Sequence, residues 1–131
     1  MTHIKKYRIA FYLKAKPEQA DSLNFQKLLL ERFVARYGQL SNSTIEHYSE
    51  CDDSTHNLEP ERDRLIQDVK YGKIDVIIVA DVGRICSCGP AFNEILNLLE
   101  KLPVRFLSVG DNLDLNGPFE FDHFKKDLAK I

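Results

Sequence analysis

The stretch IDVIIVA, residues 74–80, is a continuous apolar run of strand length. Such a run suits a strand buried on both faces, which is the habit of parallel sheets. On its N-terminal side lies a charged helix, 59–71, with a thin apolar stripe of Leu65, Ile66 and Val69. Pro60 fits the first turn of that helix, where a missing N–H costs nothing, and Gly72 ends it. On its C-terminal side residues 91–102 are amphipathic through Phe92, Ile95, Leu96 and Leu99, and Pro103 closes them. A further strand, VRFLSV, follows at 104–109.

Moving outward, TIEHY at 44–48 reads as a short strand, followed by a polar loop at 50–57. Before it, Ser22 stands as the cap of a helix carrying Leu23, Leu29, Leu30, Phe33, Val34 and Tyr37, and Gly38 stops it. YRIAFYL at 7–13 is the first strand, and FEFDHFKKDLAKI at 119–131 supports a last helix. The order β-α-β-α-β-α-β-α predicts a single α/β domain over 1–131, in three layers, doubly wound. Its mainly parallel sheet should have four to five strands in the flavodoxin-like order 2-1-3-4, with the first strand central. Ile77, Val79, Phe11 and Leu107 belong to the expected core. Ligands of such folds sit beyond the carboxyl ends of the strands. That edge gathers the loops at 14–21, 49–58, 81–90 and 110–118.

Composition narrows the function. The 131 residues are 44% hydrophobic and 29% charged with a net charge of −2, so a core is available and a global basic footprint for nucleic acid is missing. No apolar run approaches the roughly 20 residues of a membrane span, and the polar start is no signal peptide. Three cysteines, an odd number, argue against a disulfide framework and for a reducing cytoplasm. No glycine-rich phosphate loop follows any strand, so the common nucleotide sites are excluded and no cofactor is expected. Cys51, His56, Cys86 and Cys88 share the carboxyl edge. They lack the C-x-x-C hook of a zinc site and read as small apolar fillers rather than metal ligands. Lys14, Lys16 and Arg84 are also placed at that edge. They read equally as a phosphate-holding set or as solvated loop charge.

The segments RIAFYLKAKPEQADSLNFQ (8–26), VKYGKIDVIIV (69–79) and LPVRFLSVGDNLDLNGP (102–118) settle the matter differently. Their order and spacing resemble the catalytic domain of the serine site-specific recombinases, the resolvase and invertase family, over about Tyr7–Pro118. Tyr12, Gln19, Ser22, Leu23 and Gln26 fit the family's opening. The resemblance implies a serine that attacks a DNA phosphodiester, with arginines holding the phosphoryl oxygens. Here the serine position falls on Lys16 and the arginine before it on Lys14. A register one residue shorter gives Ala15 and Leu13, again without a hydroxyl. The family arginine before the second helix falls on Glu59. Its Asp-Arg-x-x-Arg motif falls on Gly83, Arg84 and Ser87, so one arginine is kept. Lys14, Lys16, Gln19, Glu59, Gly83, Arg84 and Ser87 are thus the vestigial active-site positions that the resemblance implies. A lysine is ordinarily protonated at neutral pH and cannot simply replace the serine.

The resemblance also implies a long dimer-forming helix after the catalytic domain, followed by a DNA-binding part. Residues 119–131 supply about three turns of that helix, with Phe121, Phe124, Leu128 and Ile131 on one face. The expected partner is a second copy or an active recombinase, with only weak contact to DNA and none to a membrane. Three functions follow from these readings: a non-catalytic recombinase-like domain tied to DNA recombination or mobile elements, a phosphoryl-transfer recombinase or nuclease with rearranged residues, and a small-ligand module reusing the fold.

Overall fold

Strand β1, Arg8–Ala15, is buried at every residue after Arg8. Its place explains this. Strand β2 (Thr44–Cys51) pairs with it on one side and β3 (Val76–Val79) on the other, both in parallel. Strand β4 (Arg105–Ser108) continues in parallel beyond β3, and β5 (Leu113–Leu115) lies antiparallel against β4. The sheet order is β2-β1-β3-β4-β5, so its parallel part has the expected order 2-1-3-4. The first strand is interior rather than central; β3 is the middle of the five. This computed structural model describes residues 6–36, 40, 42–51, 60–81, 84, 97–111 and 113–115. The expected helix at 119–131 and the first half of 91–102, residues 91–96, lie outside them.

A core covers each face of the sheet. Because side chains alternate along a strand, Ile9, Phe11 and Leu13 face helix α1 (Asp21–Arg36), where Leu30 and Val34 meet them with Ile78 and Leu107. Ala10 and Tyr12 face the other way, toward Leu65, Ile66 and Val69 of helix α2 (Pro60–Lys70) and Leu99 of the helical residues 97–101. The expected core residues are all buried but divided: Ile77 and Val79 sit with α2, Phe11 and Leu107 with α1. Ser22 does not stand before α1 as a cap. It lies in the first turn, and its Oγ accepts a hydrogen bond from Gln26 Nε2 at 3.0 Å.

Helix α2 stops as its sequence requires. Gly72 takes φ +73°, its N–H reaches the Val69 carbonyl at 3.0 Å, and the Lys73 N–H reaches Asp68 at 2.9 Å. This paired closure of the last carbonyls needs a left-handed residue at Gly72.

Tyr48 ties α2 to the edge strand β2. It is buried, and its hydroxyl donates to Asp68 Oδ2 at 2.6 Å. The Arg64 guanidinium lies 4.1 Å from its ring centre, forks onto Glu61 and donates to the His47 carbonyl. Desolvation first, then the Asp68 bond, raise the Tyr48 hydroxyl well above the ordinary tyrosine value. The folded protein therefore keeps a proton that the unfolded chain releases above about pH 10. Stability is expected to fall as pH rises past that point, and Tyr48→Phe should flatten the fall. Urea midpoints measured against pH for both proteins check this; identical slopes would remove Tyr48 as the cause.

Candidate functional site

The carboxyl edge of the sheet begins where β1 ends. Lys14 is not a loop residue. It is the penultimate residue of β1, and only 6% of it is exposed. The strand's even-numbered residues point toward α2, so Lys14 enters the layer that holds Tyr12. In register beside it on β2 stands Glu50, also buried. Register partners of parallel strands share a face, which puts both side chains on the α2 side of the sheet. The Glu50 carboxylate also accepts the Glu61 N–H at 2.8 Å. It thereby satisfies one of the free donors at the start of α2 and lies at the positive end of that helix.

The main chain at Lys14 is held from two more elements. Gln26, buried on α1, accepts the Lys14 N–H at 3.2 Å and donates to the Lys14 carbonyl at 2.8 Å. A side-chain amide has the donor and acceptor of a peptide group, so Gln26 acts as a one-residue extension of the ladder. Arg84 Nη1 reaches the same carbonyl from beyond β3 at 3.0 Å. Its Nε donates to Asp81 Oδ2 at 3.3 Å. Beside this, Gly110 brings the exit of β4 against the end of β3: its N–H donates to the Ala80 carbonyl at 2.7 Å, and a Cβ there would lie 2.6 Å from that oxygen.

Of the residues singled out by sequence, Lys14 and Arg84 meet, through a backbone carbonyl. Lys16 is exposed, with extended backbone, and precedes the 3-10 turn Pro17–Gln19. Gln19 is exposed in that turn, its N–H on the Lys16 carbonyl at 2.9 Å. Glu59, Gly83 and Ser87 lie outside the described residues, as do Phe121, Phe124, Leu128 and Ile131. Cys51 is an exposed free thiol at the end of β2, while His56, Cys86 and Cys88 are not described. Among the described residues no group of three or more His, Cys, Asp or Glu is placed to hold a metal, and no described helix is long and apolar enough to cross a membrane. A cleft of about 370 Å³ lies near the other end of β1 and β2, between Arg8, Thr44, Glu46, Asp68 and Lys73. It is remote from Lys14 and Arg84 along the strands.

Glu50, Asp81 and the hydrogen-bonding role of Gln26 escape a reading by motif. Glu50 falls in what reads as polar loop. Continuing the alternation of TIEHY by two residues past Tyr48 would have turned it inward. Asp81 precedes Arg84 by three residues, a spacing at which ion pairs form on a helical turn. Gln26 sits four residues before Leu30 on the buried side of α1.

The sequence pattern of the family described as "Resolvase, N terminal domain" matches residues 14–126. Among solved structures, the N-terminal catalytic domain of TP901-1 integrase superposes with a TM-score of 0.69 at 17% identity, over 92% of this chain and 98% of that one. A resolvase family site-specific recombinase from Streptococcus pneumoniae gives 0.69 at 19% identity, over 95% and 89%. The C-terminal catalytic domain of ISC1926 TnpA, an IS607-like serine recombinase, gives 0.65 at 16% identity, over 92% and 79%. At these identities the likeness is one of fold. No curated protein sequence matches the chain.

Proposed function

The chain belongs to the resolvase N-terminal-domain family, and from that premise we propose that it is a recombinase-type domain that does not cleave DNA and works through contacts with another resolvase-type chain. One observation carries the reading: two of the three cations beside the end of β1, Lys14 and Arg84, are engaged within the protein. Lys14 is buried next to Glu50, and Arg84 is turned onto Asp81 and the Lys14 carbonyl. Cleavage by a hydroxyl needs the hydroxyl and preorganised positive charge around the phosphoryl oxygens. The residues from Leu13 to Asp21 include no serine, threonine or cysteine. Lysine nucleophiles are activated by desolvation or a neighbouring cation, and Lys16 is exposed. In groups that act as a unit, losing one key member already costs nearly as much as losing all, so the missing nucleophile alone leaves little residual chemistry.

The test is a supercoiled plasmid incubated with the protein and resolved on a denaturing gel. Neither nicking nor a covalent protein–DNA adduct is expected, and Lys16→Ser alone should change nothing. Nicking by the natural chain that disappears in Lys16→Ala would overturn the proposal and restore a phosphoryl-transfer enzyme. For the partner contact, the apolar residues Phe121, Phe124, Leu128 and Ile131 repeat at helical spacing. Phe121→Asp with Phe124→Asp should weaken co-sedimentation with a full-length resolvase-type recombinase at least tenfold; unchanged co-sedimentation would move the contact elsewhere.

A further inference from the structure

Helix α1 carries its largest apolar side chains on two opposite sides. Gln26, Leu30 and Val34 face the sheet. Yet Phe25 is 70% exposed and Leu28 is 52% exposed. At 3.6 residues per turn, Asp21, Phe25, Leu28 and Arg32 fall within an arc of about 60°, directly opposite the buried stripe. All four are exposed. Single exposed apolar residues are ordinary, but two neighbours one turn apart form a patch, on the side where a surface helix normally keeps polar groups.

The order of the four is what identifies an occupant. Phe25 and Leu28 straddle the point midway between Asp21 and Arg32. An identical helix laid antiparallel across that point sets Phe25 against the partner's Leu28 and Leu28 against the partner's Phe25. The same operation sets Asp21 against the partner's Arg32 and Arg32 against the partner's Asp21. Such self-complementarity is what a two-fold interface between copies requires. The helix dipole accounts for an acid at the start and a base near the end, but not for the apolar pair between them. Lys27 and Glu31, on the flank, pair with each other at 4.0 Å, while among the described residues Asp21 and Arg32 form no ion pair. We propose that the outer face of α1 is a self-association surface, taken by a second copy of this chain in antiparallel register about a two-fold axis. The inference rests on α1 alone and not on the absence of DNA cleavage.

A helix of 16 residues is about 24 Å long, so the contact lies below the standard size class and the dimer is weak and concentration-dependent. Sedimentation velocity of the full chain should show an average coefficient that rises with concentration and rises less at high salt. Asp21→Arg and Arg32→Asp each bring like charges together at both ends of the contact, and each should abolish the rise. An equimolar mixture of the two variants makes every facing pair opposite again, and the rise should return. Phe25→Asp should abolish it without rescue by mixing. The proposal is overturned if the natural chain is a monomer at every concentration, if the single charge variants still associate, or if their mixture does not. Association lost in Phe121→Asp with Phe124→Asp but kept in the α1 variants would also overturn it and assign self-contact to residues 119–131. Circular dichroism of each variant, expected unchanged, excludes loss of the fold as the cause.

Discussion

Glu50→Ala is expected to lower the unfolding free energy by about 3–5 kcal/mol, seen as a lower urea midpoint with an unchanged slope. Two losses combine. The first is the hydrogen bond from the Glu61 N–H, which leaves a donor at the start of α2 without its acceptor; lost caps cost about 0.5–2 kcal/mol. The second is larger. Lys14 faces Glu50 in register, and both are buried. Removing the carboxylate leaves a buried ammonium without the neighbouring charge, and that is the expensive way to break such a pair. The comparison that isolates this second effect is Lys14→Met. In the Glu50→Ala background it removes the buried cation while keeping an aliphatic chain of similar length, so stability should recover by at least about 1–2 kcal/mol. If Glu50→Ala costs only as much as a lost cap and Lys14→Met recovers nothing, the two side chains are not coupled. The account of Lys14 as a structural rather than a phosphate-holding cation then fails with them.

The parallel order of the sheet was legible because three apolar runs and the alternating TIEHY are long enough to be strands and are separated by helix-length segments. Strand β5 was not. Leu113–Leu115 is three residues of alternating character inside what reads as turn, and only its antiparallel pairing with Phe106–Ser108 makes it a strand. The misplacement of Lys14 has a related cause. A charged residue after an apolar run is naturally read as the loop, yet β1 continues to Ala15 because β2 pairs with it that far, and a lysine stem is itself apolar. β2 likewise runs to Cys51 rather than Tyr48, which converts Glu50 from loop to layer. Where a motif marks the position, as at Lys14, Lys16 and Arg84, the sequence locates the edge. What those side chains touch depends on Gln26, Glu50 and Asp81, whose partners lie on other elements. The exposed pair Phe25 and Leu28 could have been noticed as apolar residues out of phase with Leu30 and Val34.

Ile77→Ala is expected to cost about 2–5 kcal/mol, toward the upper end of that range. Ile77 is wholly buried on β3, the middle strand. The cost of a cavity depends on how far its walls can collapse. In register on either side stand Ala10 of β1 and Phe106 of β4. Alanine has no side-chain torsion to swing into the gap, and Phe106 is itself fully buried among Val104, Leu99 and Val79. The strands cannot close in, because both are held by backbone ladders at fixed spacing. The edge strand provides the contrast. Ile45 on β2 is only half-buried and packs at the margin of the α1 core, so Ile45→Ala should cost well under half as much. Equilibrium urea unfolding of the three proteins decides the point. Equal losses at positions 77 and 45 would mean that the side of Ile77 relaxes as freely as an edge. The middle of the sheet would then be too soft to fix the end of β1, where the Lys14 carbonyl receives both Gln26 and Arg84.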